Sequence, residues 1–113
     1  MPFNSQLFDF NGQWNAVAGV YGVMNAQQQM IYIGQTDDFQ RRLAEHIADT
    51  THCMHRYNPR YAFAEVIPQQ QVRDVREAQL IAEYAPPCNQ QPSRSGLALT
   101  NQNSSWRIRQ GKP

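Results

Sequence analysis

Long apolar runs are missing from this 113-residue chain. No stretch nears the roughly eighteen consecutive apolar residues of a membrane-spanning helix. The amino end also lacks the basic-then-apolar order of an export leader, so the reading expects a cytoplasmic protein with no membrane partner. Cysteine is scarce, with only Cys53 and Cys88. A single bridge is a thin framework for an exported domain, so both are expected as free thiols. Acids are absent from residues 91–113, which hold Arg94, Arg107, Arg109 and the only lysine, Lys112. Residues 1–90 hold all nine acids and six of the ten bases, so a net charge of +1 conceals a core of −3 and a tail of +4. The tail is rich in Gln, Asn and Ser and is expected to be mobile and solvated, the first part that a polyanion would meet.

What remains is enough chain for one domain with one modest core. Val17 to Met24 and Met30 to Gly34 are rich in Val, Ile and Tyr and flank the polar stretch Asn25–Gln29. They read as an antiparallel hairpin with a five-residue loop. After Gly34 the period changes. Phe39, Leu43 and Ile47 recur every four residues, capped by Thr36 or Asp37, and predict a helix ending near Thr50. Tyr61 to Ile67 alternates like a third strand stopped by Pro68. A second helix is expected from about Val72 to Tyr84, closed by Pro86 and Pro87. Asn11-Gly12 reads as a turn, and Thr51 to Arg60 as a loop or a short helix broken at Pro59. Residues 1–16 are an N-terminal extension, 17–90 the folded module and 91–113 the tail.

Several side chains sit outside the apolar pattern. Arg42 and His46, four apart, share a flank of the first helix beside its apolar stripe. Glu77 lies in the row of Ile81 and Tyr84, where an ion is costly unless a cation meets it. A divalent metal and an arginine both satisfy that need. His52, Cys53, His55 and Cys88 raise the question of zinc, but their spacing fits no usual finger pattern.

Tyr21 and Tyr32 stand in "GVY" and "IYIG", and these two runs resemble the paired signature of the GIY-YIG nuclease family. Arg42, His46, Glu77 and then Asn89 after the Pro-Pro stop follow in the family's order. The resemblance spans about residues 18 to 90 and departs only where Val20 replaces isoleucine, a change that keeps the β-branched shape. It implies an α+β fold, a small three-stranded antiparallel sheet flanked by helices. It also implies hydrolysis of DNA phosphodiester bonds with one divalent cation, Mg²⁺ or Mn²⁺, on Glu77.

On that resemblance Arg42 would grip the phosphate with a bidentate fork, and Tyr21 with His46, titrating near 6.5, would supply the acid–base pair. Tyr32 would orient water or phosphate, Gly34 would let the backbone approach, and Asn89 would hold the site by hydrogen bonds. The chemistry suits the groups, because attack on a phosphodiester builds negative charge that waiting cations stabilise.

Substrate form is less marked. A core of −3 holds long duplex poorly, since duplex affinity grows with the phosphates neutralised. Arg56, Tyr57, Arg60 and Tyr61 interleave bases with aromatics, as does Trp106 in the tail, and such patterns stack unpaired bases. Duplex, single-stranded and flapped DNA all remain open, and nothing in the sequence detects a 2′-hydroxyl that would exclude RNA. With no DNA-reading domain in view, a protein partner is a possible source of specificity. A catalytically idle or partner-dependent nucleic-acid-binding module is the alternative.

Overall fold

The computed structural model describes Phe3 and residues 5–90; what is expected of the 91–113 tail, Trp106 included, lies outside the described residues. The chain runs β1 (Phe8–Asp9), β2 (Gly19–Met24), β3 (Met30–Thr36), α1 (Phe39–Ala48), a 3₁₀ helix (Cys53–Tyr57), β4 (Tyr61–Val66), α2 (Gln70–Tyr84) and a second 3₁₀ helix (Pro87–Asn89). Every strand pairing is antiparallel, in the order β1-β4-β2-β3. Among the described residues no helix is long and apolar enough to cross a membrane.

The expected α+β class holds, with four strands where three were expected. The addition, β1, is only two residues long and pairs Phe8 with Ala62 and Asp9 with Tyr61. Two residues are too few to display the period-2 alternation by which a strand is read from sequence. Phe10, which follows the strand, is buried in the core although it belongs to the stretch read as an extension.

The β2–β3 register decides which side chains share a face. Tyr21 opposes Gly34 and Val23 opposes Tyr32, while Val20 opposes Gln35 and Gly22 opposes Ile33. Opposed residues point the same way and successive ones alternate. One face therefore packs Tyr21 and Val23 with Phe39 and Leu43 of α1, Met54 and Phe10. The other packs Val20, Ile33 and Phe63 with Leu80 of α2. β3 is the outer strand, so the two helices lie on opposite faces beside one open edge.

The cap of α1 lies beyond both expected positions, one residue after Asp37 and two after Thr36. Asp38 is the N-cap, its side chain accepting from the Arg41 amide at 3.0 Å. Thr36 closes β3 and its hydroxyl accepts from the Asp38 amide at 3.0 Å, while Asp37 turns outward to pair with Arg41. Helix α2 starts two residues before Val72. Buried Arg73 donates to the carbonyls of Ile67 and Pro68 at 3.1 and 2.8 Å, which fastens the entry to the helix. Ala85 ends it in the left-handed region at φ 43°, and Pro86 and Pro87 follow.

The cysteines are not free thiols: Cys53 and Cys88 form a disulfide, their Cα atoms 5.7 Å apart. The two 3₁₀ helices that carry them both lie against β3. Sequence spacing gave no sign of that proximity. The possible zinc set is dissolved by the same bond, and among the described residues no three His, Cys, Asp or Glu side chains converge to hold a metal.

Next to Cys88, Asn89 completes the open edge of β3. Its Oδ1 accepts from the Ile33 amide at 2.8 Å and its Nδ2 donates to the Ile33 carbonyl at 2.9 Å, so one side chain replaces a neighbouring strand for one residue. Replacing Asn89 with Ala is expected to cost about 1–3 kcal/mol, the penalty for leaving buried backbone groups unpaired. Reducing the bridge, which closes a loop of sequence separation 35, is expected to cost up to about 4 kcal/mol by the chain-entropy account. Urea unfolding with and without reductant checks both.

Candidate active site

The open edge of β3 is where both helices can reach the same place. From α1 come Arg42 and His46, from β2 and β3 come Tyr21 and Tyr32, and from α2 comes Glu77. Arg42 and Glu77 both act on the ionisation of Tyr21 and of Tyr32, which places all four groups in one electrostatic neighbourhood.

Tyr21 is fully buried, and its hydroxyl lies 2.7 Å from His46 Nε2. Its ring crosses the backbone at Gly34, where a Cβ would stand about 2.5 Å from the hydroxyl oxygen. Gly34 therefore lies inside β3 as the clearance under Tyr21, and any side chain there would displace the phenol. Tyr32 is partly exposed beside them, its ring centroid 6.3 Å from that of Tyr21 and 5.6 Å from that of His46.

His46 was expected at the edge of the core, titrating near 6.5, but it is buried, and its pKa is pushed down to about 3. Burial is the main cause, and the Arg42 guanidinium adds to it. His46 is thus a neutral imidazole across the physiological range, free to accept through Nε2. Burial raises the pKa of Tyr21 well above its ordinary value, with Tyr32 as the next cause. Tyr32 is raised by burial and then by Glu77.

Glu77 is half-buried, and burial raises its pKa above the usual carboxylate value. Its Oε1 accepts from Gln35 Nε2 at 2.9 Å, and the same amide donates to Asp74 at 2.7 Å. Among the described residues no arginine pairs with it. Of the two partners left open by the sequence, the arginine is absent. A half-buried carboxylate met only by a neutral amide suits a hard divalent cation that keeps most of its coordination as water and phosphate. The carboxylate present thus fits a hard divalent cation.

Arg42 is tethered to Glu45 at 2.8 Å with 39% of its side chain exposed, so it is within reach of a ligand as well as of the tyrosines. Arg56 and Arg60 are not brought into this cluster. Both are exposed, Arg60 lies over the Tyr61 ring at 5.2 Å, and among the described residues neither is bonded to Tyr21, Tyr32, Arg42, His46 or Glu77.

Two residues near the site were not singled out for it from sequence. Gln35 orients the Glu77 carboxylate, and the alternation of β3 was the available signal, since it turns Gln35 to the α2 face. His52 stands edge-on to both Tyr32 and His46, with centroids 5.0 and 4.9 Å away. It was weighed only as a zinc ligand.

The low pKa of His46 has a consequence for stability. The unfolded chain binds a proton at this residue near its ordinary 6.5, and the folded chain refuses it until about 3. Stability is therefore expected to fall as pH drops from about 6.5 toward 3. His52, also lowered by burial and Arg42, adds with the same sign, and Glu77, raised, opposes. Melting temperature against pH is expected to show a shallower acid slope in His46→Gln than in the parent.

A family model described as the GIY-YIG catalytic domain matches residues 17–91. Solved structures of the GIY-YIG N-terminal endonuclease domain of UvrC from Thermotoga maritima are similar in fold. The domain bound to magnesium as its catalytic divalent cation has 26% identity and a TM-score of 0.60, covering 67% of this chain and 86% of that one. A tyrosine-to-phenylalanine mutant of the same domain has 25% identity and a TM-score of 0.61, covering 69% and 88%. An asparagine-to-alanine mutant has 25% identity and a TM-score of 0.59, covering 66% and 84%. A comparison with curated protein sequences found no match. With the family model running through the hairpin, both helices and the closing Asn89, this chain belongs to the GIY-YIG endonuclease family.

Proposed function

We propose that the chain cleaves DNA phosphodiester bonds by a one-metal mechanism at the β3 edge, on single-stranded or branched DNA. The observation that carries this reading is the half-buried Glu77 carboxylate, which has no cationic partner among the described residues and acts electrostatically on a phenol bonded to a neutral imidazole. A divalent cation on Glu77, Mg²⁺ or Mn²⁺, would supply charge for the leaving 3′ oxygen and the phosphoryl oxygens.

The protein's own groups do the rest. Arg42 exchanges Glu45 for a phosphate oxygen and stabilises charge as it develops. Tyr21, by donating its proton to His46 Nε2, keeps lone pairs that accept a proton from the attacking water. The water oxygen bonds to phosphorus, the P–O3′ bond breaks, and the 3′ oxygen takes a proton from solvent. Substrate also improves the base, because a phosphate beside His46 favours the imidazolium that Arg42 and burial disfavour in the free protein. Tyr32 orients the phosphate or water, and Asn89 and Gly34 hold the geometry.

Residues 17–90 are proposed as the catalytic module, 1–16 as an extension and 91–113 as a basic tail, with specificity drawn from the surrounding loops or a protein partner. Arg56 and Arg60 are assigned to strand contacts away from the cleaved bond. A cytoplasmic site of action belongs to the same reading. The Cys53–Cys88 bridge weighs against it, since a reducing cytosol keeps such pairs as thiols.

Purified protein with Mg²⁺ or Mn²⁺ on matched single-stranded, duplex and flapped DNA, with Glu77→Ala alongside, tests the proposal. Cutting is expected to vanish in Glu77→Ala, and Arg42→Ala is expected to lose about two to three orders of magnitude in rate. Metal-dependent cutting at the parental rate by Glu77→Ala overturns the metal assignment. Binding without cutting by the parent overturns the hydrolytic reading in favour of an idle or partner-dependent binding module.

A further inference from the structure

We propose that His52 is a substrate-contacting residue, its Nε2–H donating to a non-bridging oxygen of the phosphate that Arg42 receives. The inference rests on the phosphodiester reading of the site and adds a group to it.

The first argument is the orientation of the ring. His52 is the N-cap of the Cys53–Tyr57 3₁₀ helix, and its Nδ1 accepts from the Met54 amide at 3.1 Å. A neutral imidazole whose Nδ1 lone pair is used in this way carries its proton on Nε2, on the far side of the ring. Among the described residues nothing is bonded to that nitrogen, and the side chain is only partly buried. A donor is thus held in a fixed direction with its proton unspent.

The second is location. The ring stands edge-on to Tyr32 at 5.0 Å and to His46 at 4.9 Å between centroids. Arg42 is close enough to lower its pKa, after burial. An anion held by Arg42 would therefore lie within the electrostatic reach of His52, and its charge favours the imidazole's proton rather than opposing it.

The third is rigidity. Cys53, the next residue, is bonded to Cys88, and His55 Nε2 lies 2.7 Å from the His46 carbonyl oxygen. The His52 amide donates to the Asp49 carbonyl at 3.2 Å. A segment tied both to α1 and to the 3₁₀ helix carrying Asn89 brings its ring to the site with little entropy left to lose on binding. A capping role alone would account for the Met54 bond but not for the packing of the ring against Tyr32 and His46.

Two substitutions separate the roles. His52→Asn keeps an acceptor for the Met54 amide and loses the Nε2 reach. His52→Gln places an amide N–H near the Nε2 position and gives up the cap. His52→Asn is expected to melt with the parent while losing about 10- to 100-fold in kcat/KM, and His52→Gln to recover part of that loss although it melts lower. The same proteins are titrated with a short single-stranded DNA oligonucleotide without metal, where weaker binding by His52→Asn than by His52→Gln supports the proposal even if nothing is cut. Parental activity and affinity in His52→Asn, or losses that follow melting temperature with Gln worse than Asn, overturn it. A parent that binds and does not cut is the separate failure of the hydrolytic reading.

Discussion

The pairing of Tyr21 with Gly34 across β2 and β3 is the constraint on which the site depends. It lays the phenol over the one position in β3 where the backbone carries no side chain, and it brings the hydroxyl within 2.7 Å of His46. A slip of one residue would turn Tyr21 to the α2 face and Val20 to the α1 face, losing both the bond and the packing around it. Apolar burial on both faces prevents that slip, since Val20, Val23, Ile31 and Ile33 are all but fully enclosed. The register is thus held by the core, and the active chemistry is a consequence of it.

Placing β3 at the sheet edge is the second half of the arrangement. An inner strand would separate the faces, and α1 and α2 could not contribute to one site. An edge strand leaves unpaired backbone groups, a liability in most sheets. Here the liability is managed at Ile33 by Asn89 alone, whose amide matches both backbone groups, and Cys88 beside it is anchored to Cys53. Closing the edge with a side chain rather than a strand leaves the space beside Tyr32 and Glu77 accessible.

Much of this was legible in the sequence, for reasons that differ by element. The β2–β3 hairpin, α1 and β4 carry strong periodic signals, and their ends were read to within about two residues. Helix α2 began early because its start is fixed by Arg73 reaching back to Ile67 and Pro68, a tertiary contact with no local signature. β1 was too short to have a period. The disulfide has no local signature either, since proximity of the two 3₁₀ helices follows from the path of the chain around β3. At the site, the order of Tyr21, Tyr32, Arg42, His46, Glu77 and Asn89 was readable through a family resemblance. The electrostatics were not, because the depth of His46, and the absence of an arginine at Glu77 among the described residues, depend on how the helices pack.

Those electrostatics give the site its character. In the free protein burial disfavours charge at every titrating group in it: the phenols are held above their ordinary pKa, the imidazoles below theirs, and Glu77 is biased toward its neutral form. Arg42, the cation that acts on both phenols, is occupied by Glu45. In such a site a lone anion or a lone cation meets a low dielectric, and a counter-ion offsets the cost. On the proposed reading a phosphate and a divalent cation would offset one another's cost, with Arg42 turning from Glu45 to the phosphate and Glu77 placed to hold the cation. The same logic explains how a region of net charge −3 can act on a polyanion. Affinity for an extended run of phosphates would not be required if, as proposed, a single phosphate and its metal complete the site.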